Sequence, residues 1–269
     1  MMTADQAGTI DGLMDRASEA LVATDYFLAE SLCLKALAKA RKAGDFERLA
    51  RLALPLQEAR RQIRQLATDA ASAGSITVLS KPPARSDTFE PGIYLCQPPM
   101  IGKQARALRE LLTSRQIPAL VLCREPLTRA GLWPIVAVTE GYEPGLGASA
   151  VPMFGHASLR APQGLAIRAY VTPPAGVERA ESSPTRDNAW DGSVVPSVAW
   201  CLAASESLGD AGIARASREA IYRVDDLLDA LDAVPEHEKL HQRLAEASAQ
   251  AVGAAIPRGP RMPESGEVI

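Results

Sequence analysis

One short string in the chain has the spacing of a metal site: His237, Glu238 and His241 stand in the order H-E-x-x-H. On a helix the two imidazoles would lie one turn apart and could ligate zinc, with Glu238 as the general base. Lys239 occupies the position that a buried metal-binding helix fills with an apolar residue, and Pro235 places His237 in the opening turn. We therefore predict no metal site and interpret the string as a junction between two helices.

A second group of candidates lies where two predicted strands end. Cys96 ends one strand, Arg124 and Glu125 follow the next, and Lys103 opens the helix between them. Ligands of parallel sheets bind at the carboxyl ends of the strands. These four are our candidate ligand-binding residues, and no residue is assigned as catalytic. The alternative is a buried thiol at Cys96, a local ion pair at 124–125 and a solvated lysine.

The segment that begins the same helix also lies where phosphates bind, between a strand and a helix. A phosphate-binding loop of the Walker type needs glycine at position 97 and serine or threonine at position 104, but Gln97 and Gln104 stand there. No dinucleotide fingerprint, nucleophile elbow or acidic metal cluster accompanies it. The sequence therefore predicts no cofactor.

A basic patch of Arg60, Arg61 and Arg64 marks the third predicted helix, and we name these three as candidate partner-binding residues. The charged residues of 41–64 are mainly basic, whereas the charged residues of 204–250 are mainly acidic. Complementary charge of this kind can bring the two segments together, within one chain or between chains, or can steer a charged partner. The alternative is two independently solvated faces.

Composition excludes several classes of protein. The 269 residues carry a formal net charge of −3. This argues against a nucleic-acid-binding protein, which would have a basic surface. No apolar run approaches the roughly 20 residues that span a bilayer, and residues 1–25 lack the pattern of a signal peptide. The four cysteines stand singly, without a CxxC pair. We therefore expect a cytoplasmic protein that binds neither nucleic acid nor membrane.

Proline divides the chain, because it is excluded from helix interiors. Fifteen of the 20 prolines lie between residues 75 and 196. We predict a helical region over 1–74, an α/β domain over 75–172, a linker over 173–195, a second helical region over 196–252 and a disordered tail over 253–269. The fold class is thus α+β, with helical hairpins at both ends of a small mixed sheet.

Apolar periodicity places the helices. At the N-terminal end we expect a helix over 11–23, then one capped by Asp25 that continues to 43, then one capped by Asp45 that kinks near Pro55. At the C-terminal end we expect a helix from Pro196 to 208, a turn over 208–210, and two further helices separated by Pro235.

The middle of the chain carries β character. An amphipathic helix near 102–115 separates the second and third predicted strands, which makes that pair parallel. The short connection at 124–134 favours an antiparallel fourth strand. Predicted strands cover 76–79, 93–96, 119–123, 135–139 and 165–171.

The stretch at 25–40 resembles a tetratricopeptide repeat, with Asp25-Tyr26 at the turn, Ala29-Glu30 early in the helix and Lys35-Ala36-Leu37 near its middle. Residues 230–247 resemble the junction between two such repeats. The resemblance covers about 13–66 and 196–252, and implies stacked helix pairs with a groove for peptides. It favours a non-enzymatic interaction scaffold that binds another protein or itself. The alternative is an enzyme or small-molecule sensor with its site at the strand ends.

Overall fold

The computed structural model describes residues 8–74, 76–140, 165–175, 177 and 195–255. Most of the predicted linker and of the predicted tail therefore lie outside the described residues. The chain folds as α+β, with helices at both ends of a small sheet.

The N-terminal region consists of three helices, α1 (Ile10–Val22), α2 (Tyr26–Ala43) and α3 (Phe46–Ala73). The caps predicted from the sequence are confirmed: Asp25 accepts from the Leu28 N–H and Asp45 accepts from the Arg48 N–H. Gly44 ends α2 in the left-handed conformation, at φ 66°, which glycine adopts without steric cost. Pro55 lies inside α3, which continues to Ala73.

The central region forms a three-stranded parallel sheet and a two-stranded antiparallel sheet, linked by one isolated bridge. Strands β1 (Thr77–Leu79), β2 (Gly92–Cys96) and β3 (Ala119–Cys123) pair in parallel in that order, and α4 (Gly102–Ser114) connects β2 to β3. Strands β4 (Trp133–Val138) and β5 (Ala166–Val171) are antiparallel, and an antiparallel bridge from Arg124 to Ile135 joins β3 to β4. The parallel pair and the antiparallel fourth strand are therefore confirmed.

Both faces of this sheet are covered, so its central strands are continuous apolar runs. Ile93 and Leu95 of β2 pack into the main core, which α3 shares, while Tyr94 and Cys96 face a second apolar cluster under α4. The alternation follows from the two-residue period of a strand. The sheet is thus one layer between α3 and α4.

The C-terminal region consists of α5 (Val198–Arg215), α6 (Ala220–Ala233) and α7 (Glu238–Ala251). The predicted turn over 208–210 is wrong, because α5 runs through it without interruption. Glycine destabilises a helix interior by about 1 kcal/mol relative to alanine, so Gly209 in the sequence predicts a helix end. Here a Cβ on Gly209 would lie 2.1 Å from His237 Cγ, so the glycine allows the ring to pack on α5.

One apolar core runs through all three regions, since residues of α2, α3, β2, β4, α6 and α7 belong to the same buried cluster. Among the described helices none is both long and apolar enough to cross a membrane.

Candidate functional site

The two helical regions pack against each other through α3 and α7, and ion pairs cross this interface. Arg64 of α3 contacts Glu206 at 2.8 Å and Glu238 at 2.5 Å. Arg41 of α2 contacts Asp225 of α6 at 2.5 Å. The complementary charge noted in the sequence therefore joins the two regions within one chain.

Arg60 is the most deeply buried member of the predicted basic patch, with only 8% of its side chain exposed. Its Nε donates to Glu30 Oε1 at 2.7 Å, and its Nη1 lies 3.4 Å from the Leu231 carbonyl oxygen. A buried guanidinium is stabilised by such a pair, and removal of one partner leaves an uncompensated charge. Arg60 therefore holds α2, α3 and α6 together.

Arg61 differs from its neighbours, because its side chain is 41% exposed and forms two hydrogen bonds to Glu58 on the same helix. The structure thus places Arg60 and Arg64 in contacts inside the chain and leaves Arg61 on the surface. Partner binding by these three arginines stays a prediction.

The two histidines of the H-E-x-x-H string are both buried, and each has a defined place. His237 caps α7, since its Nδ1 accepts from the Leu240 N–H at 3.2 Å. The proton of this ring is therefore on Nε2, which lies 3.2 Å from Glu206 Oε2. The adjacent His237 ring and the Arg64 guanidinium lower the pKa of Glu206.

His241 lies one turn later, with its Nδ1 3.0 Å from the His237 carbonyl oxygen and its Nε2 3.5 Å from Arg60 Nη1. Burial, together with the charge of Arg60, lowers the pKa of His241 to about 3. The imidazole is therefore neutral at pH 7. Within the described residues no group of three or more His, Cys, Asp and Glu side chains could hold a metal ion.

The strand-end candidates occupy different environments. Cys96 is fully buried in the apolar cluster under α4, next to Cys123 in the parallel register. Burial raises the pKa of the Cys96 thiol far above its ordinary value, and that of Cys123 to about 12. Since the thiolate is the nucleophile, neither cysteine is activated for chemistry at neutral pH.

Arg124 and Glu125 make separate contacts, and Lys103 is exposed in the first turn of α4. Arg124 is buried 4.6 Å from the centre of the Trp133 ring and donates to Gln97 Oε1 at 2.9 Å. Burial lowers the pKa of Arg124 to about 10, so the guanidinium keeps its charge at pH 7. Glu125 instead pairs with Arg168 at 2.9 Å.

A cleft lies near the opposite, amino-terminal end of β3. We call it the arginine cleft, and its cavity volume is about 50 Å³. The lining comes from α2, α3, α4, the start of β3 and the connection before α7. The lining residues are Phe27, Glu30, Arg60, Ile63, Arg64, Arg109, Leu112, Thr113, Ile117, Ala119, Leu120, Pro235 and Glu236.

The helix α4 contributes the arginine that the sequence analysis did not select. Arg109 Nη1 donates to the Ala233 carbonyl oxygen at 2.5 Å, and its Nη2 donates to the Asp232 carbonyl oxygen at 2.6 Å. These are carbonyls at the carboxyl end of α6, where the helix dipole favours a cation. Burial lowers the pKa of Arg109. One turn earlier, Arg106 forms an ion pair with Asp232 at 2.8 Å.

The arginine cleft contains two of the seven predicted site residues, Arg60 and Arg64, and none of the four strand-end candidates. Arg109 and Glu236 were missed because nothing in the sequence around them shows that they meet in one cleft. The signal that could have found Arg109 is its place beside the apolar stripe of an amphipathic helix, one residue after Leu108.

Comparison of this chain with protein-family models, curated proteins and solved structures found no match.

Proposed function

We propose that this chain is a non-enzymatic interaction protein, and that the arginine cleft receives a segment of another protein. The observation that carries the proposal is the cleft itself, which three otherwise separate parts of the chain build together. The likeness of 25–40 and 230–247 to tetratricopeptide repeats supports the same function, because paired helices of that family bind peptides.

The chemistry of the lining suits recognition more than catalysis. Its apolar members can bury a side chain, and its arginines can orient a polar group. Three of the described side chains that could act in catalysis are unsuited to it. Cys96 and Cys123 are buried thiols with raised pKa values, and His241 is held neutral between His237 and Arg60.

A site-specific photocrosslinker at Thr113 tests the proposal. Thr113 lines the cleft and is exposed, so an aromatic crosslinker fits there without disturbing the core. The matched control carries the same crosslinker at Lys39, which is exposed on α2 outside the lining.

We expect irradiation in cells to give a discrete heavier adduct from position 113 and none from position 39, and mass spectrometry to find a single peptide of another protein in it. Equal labelling from both positions would refute the cleft as the interaction site. An adduct with a second copy of this chain would replace the foreign partner by self-association.

A further inference from the structure

Arg109 differs from the other arginines in the cleft in the groups that compensate its charge. Arg60 is paired with Glu30, and Arg64 is paired with Glu206 and Glu238. Arg109 donates to two carbonyl oxygens, and among the described residues no carboxylate oxygen lies within 4.0 Å of its guanidinium.

Capping of α6 accounts for only part of what this guanidinium can do. The two bonds to carbonyl oxygens use two of its five N–H groups. Carbonyl dipoles compensate a cation less completely than a carboxylate does, and a partly buried cation is costly without an anion. The lowered pKa of Arg109, which burial causes, is consistent with this cost.

Among the described residues, the acidic side chains around the cleft form ion pairs with Arg60 and Arg64 and not with Arg109. Three arginines line the cleft against two glutamates, Glu30 and Glu236. Glu30 is held by Arg60, and Glu236 Oε1 lies 3.3 Å from the Ser205 hydroxyl, which donates to it. Since Glu206 and Glu238 pair with Arg64, Arg109 is the lining arginine that an entering anion meets without a carboxylate oxygen of the described residues within 4.0 Å.

The remaining walls are apolar, formed by Phe27, Ile63, Leu112, Ile117, Leu120 and Pro235. We infer that the arginine cleft recognises an acidic peptide segment in which an aspartate or glutamate stands beside an aliphatic residue. The carboxylate would pair with Arg109, and the aliphatic side chain would lie against the apolar walls. A guanidinium forms strong charge-assisted hydrogen bonds to a carboxylate. This inference rests on the proposed function and specifies the chemistry of its ligand.

Selection of short peptides from a random display library on the immobilised full-length chain tests the inference. We expect selected peptides to carry aspartate or glutamate next to an aliphatic residue. Replacement of that acidic residue by its amide should weaken binding about tenfold, measured by fluorescence anisotropy. Added salt should weaken binding of the acidic peptide more than binding of its amide variant.

A charge-reversal pair at the rim keeps the test independent of folding. Thr113→Glu should weaken binding of the acidic peptide about threefold and Thr113→Lys should strengthen it by a similar factor. Lys39→Met is the matched control, because it makes the charge more negative by one, as Thr113→Glu does, at an exposed position on α2 outside the lining, and it should leave the affinity unchanged.

The outcomes separate the two proposals. Peptides that lack acidic residues, or that ignore the amide replacement, would overturn the acidic ligand and leave the interaction function standing. Failure to select any peptide while position 113 still crosslinks would also overturn the acidic ligand alone. Failure of both selection and crosslinking would remove the proposed function together with this inference.

Discussion

Substitution of Gly209 by alanine distinguishes two opposite expectations. By helix propensity alone, Gly209→Ala in α5 should stabilise the protein by about 1 kcal/mol. In the structure the added Cβ would lie 2.1 Å from His237 Cγ and 2.2 Å from His237 Cδ2. We therefore predict a net destabilisation.

The magnitude follows from what the ring must give up. Carbon atoms rest about 3.5–4.0 Å apart, so the His237 ring must move by about 1.5 Å. The ring is fully buried, so it has no open space to enter. Overpacking costs about 1–3 kcal/mol, and loss of the hydrogen bond from Leu240 N–H to His237 Nδ1 costs about 1 kcal/mol more. After the gain in propensity, Gly209→Ala should destabilise the protein by about 2 kcal/mol.

Urea denaturation followed by circular dichroism measures this change as a lower midpoint with an unchanged slope. The control is a double-mutant cycle with His237→Ala, which removes the ring. In the His237→Ala background, Gly209→Ala should cause little of the destabilisation that it causes in the parent protein. A single variant as stable as the parent, or more stable, would refute the packing of His237 on α5.

Three further predictions concern stability and reactivity. The pKa of His241 lies near 3 in the folded chain and near 6.5 in the unfolded chain. Between these pH values the unfolded state binds more protons than the folded state, so stability should fall as the pH drops from 6.5 toward 3. His241→Gln should flatten this dependence, measured as the difference between urea midpoints at pH 7 and pH 5; an unchanged difference would contradict the assignment. Arg60→Met should cost about 3 kcal/mol because it leaves the partly buried Glu30 uncompensated, whereas Arg61→Met should change stability by less than about 0.5 kcal/mol. Equal losses in thermal denaturation would contradict the burial of Arg60. A thiol reagent such as Ellman's reagent should leave Cys96 and the other three buried cysteines unmodified in the native protein at pH 7.5 and react with them in urea, and a fast-reacting native thiol would refute their burial.

Much of the architecture could be predicted because its signals are local. The helix α2 begins after Asp25 and ends before Gly44, since an acidic cap and a left-handed glycine act within one turn of the backbone they satisfy. The strands β2 and β3 were placed closely, because a strand buried on both faces is an unbroken apolar run. The turn over 208–210 failed for the opposite reason: Gly209 serves a contact with His237, which is 28 positions away and gives no local signal.

The candidate site shows the same division. The rule that ligands bind at the carboxyl ends of parallel strands directed attention to Cys96 and Arg124, and the arginine cleft lies instead near the amino-terminal end of β3. The rule describes where loops gather in an isolated sheet. Here two helical regions close over the other end, so the cleft arises from their docking.

By itself the sequence determined the fold class, the helix caps, the parallel pairing of β2 with β3 and the opposite charge of the two helical regions. Each depends on residue type and on spacing of a few positions. Only the tertiary structure decided that Arg60 and Arg64 form ion pairs within the chain and that His241 is neutral. It also decided that Arg109 lines the cleft with no carboxylate oxygen of the described residues within 4.0 Å of its guanidinium. Burial and ion pairing depend on which distant side chains meet, and that follows from the packing of α3 against α7 and not from any local pattern.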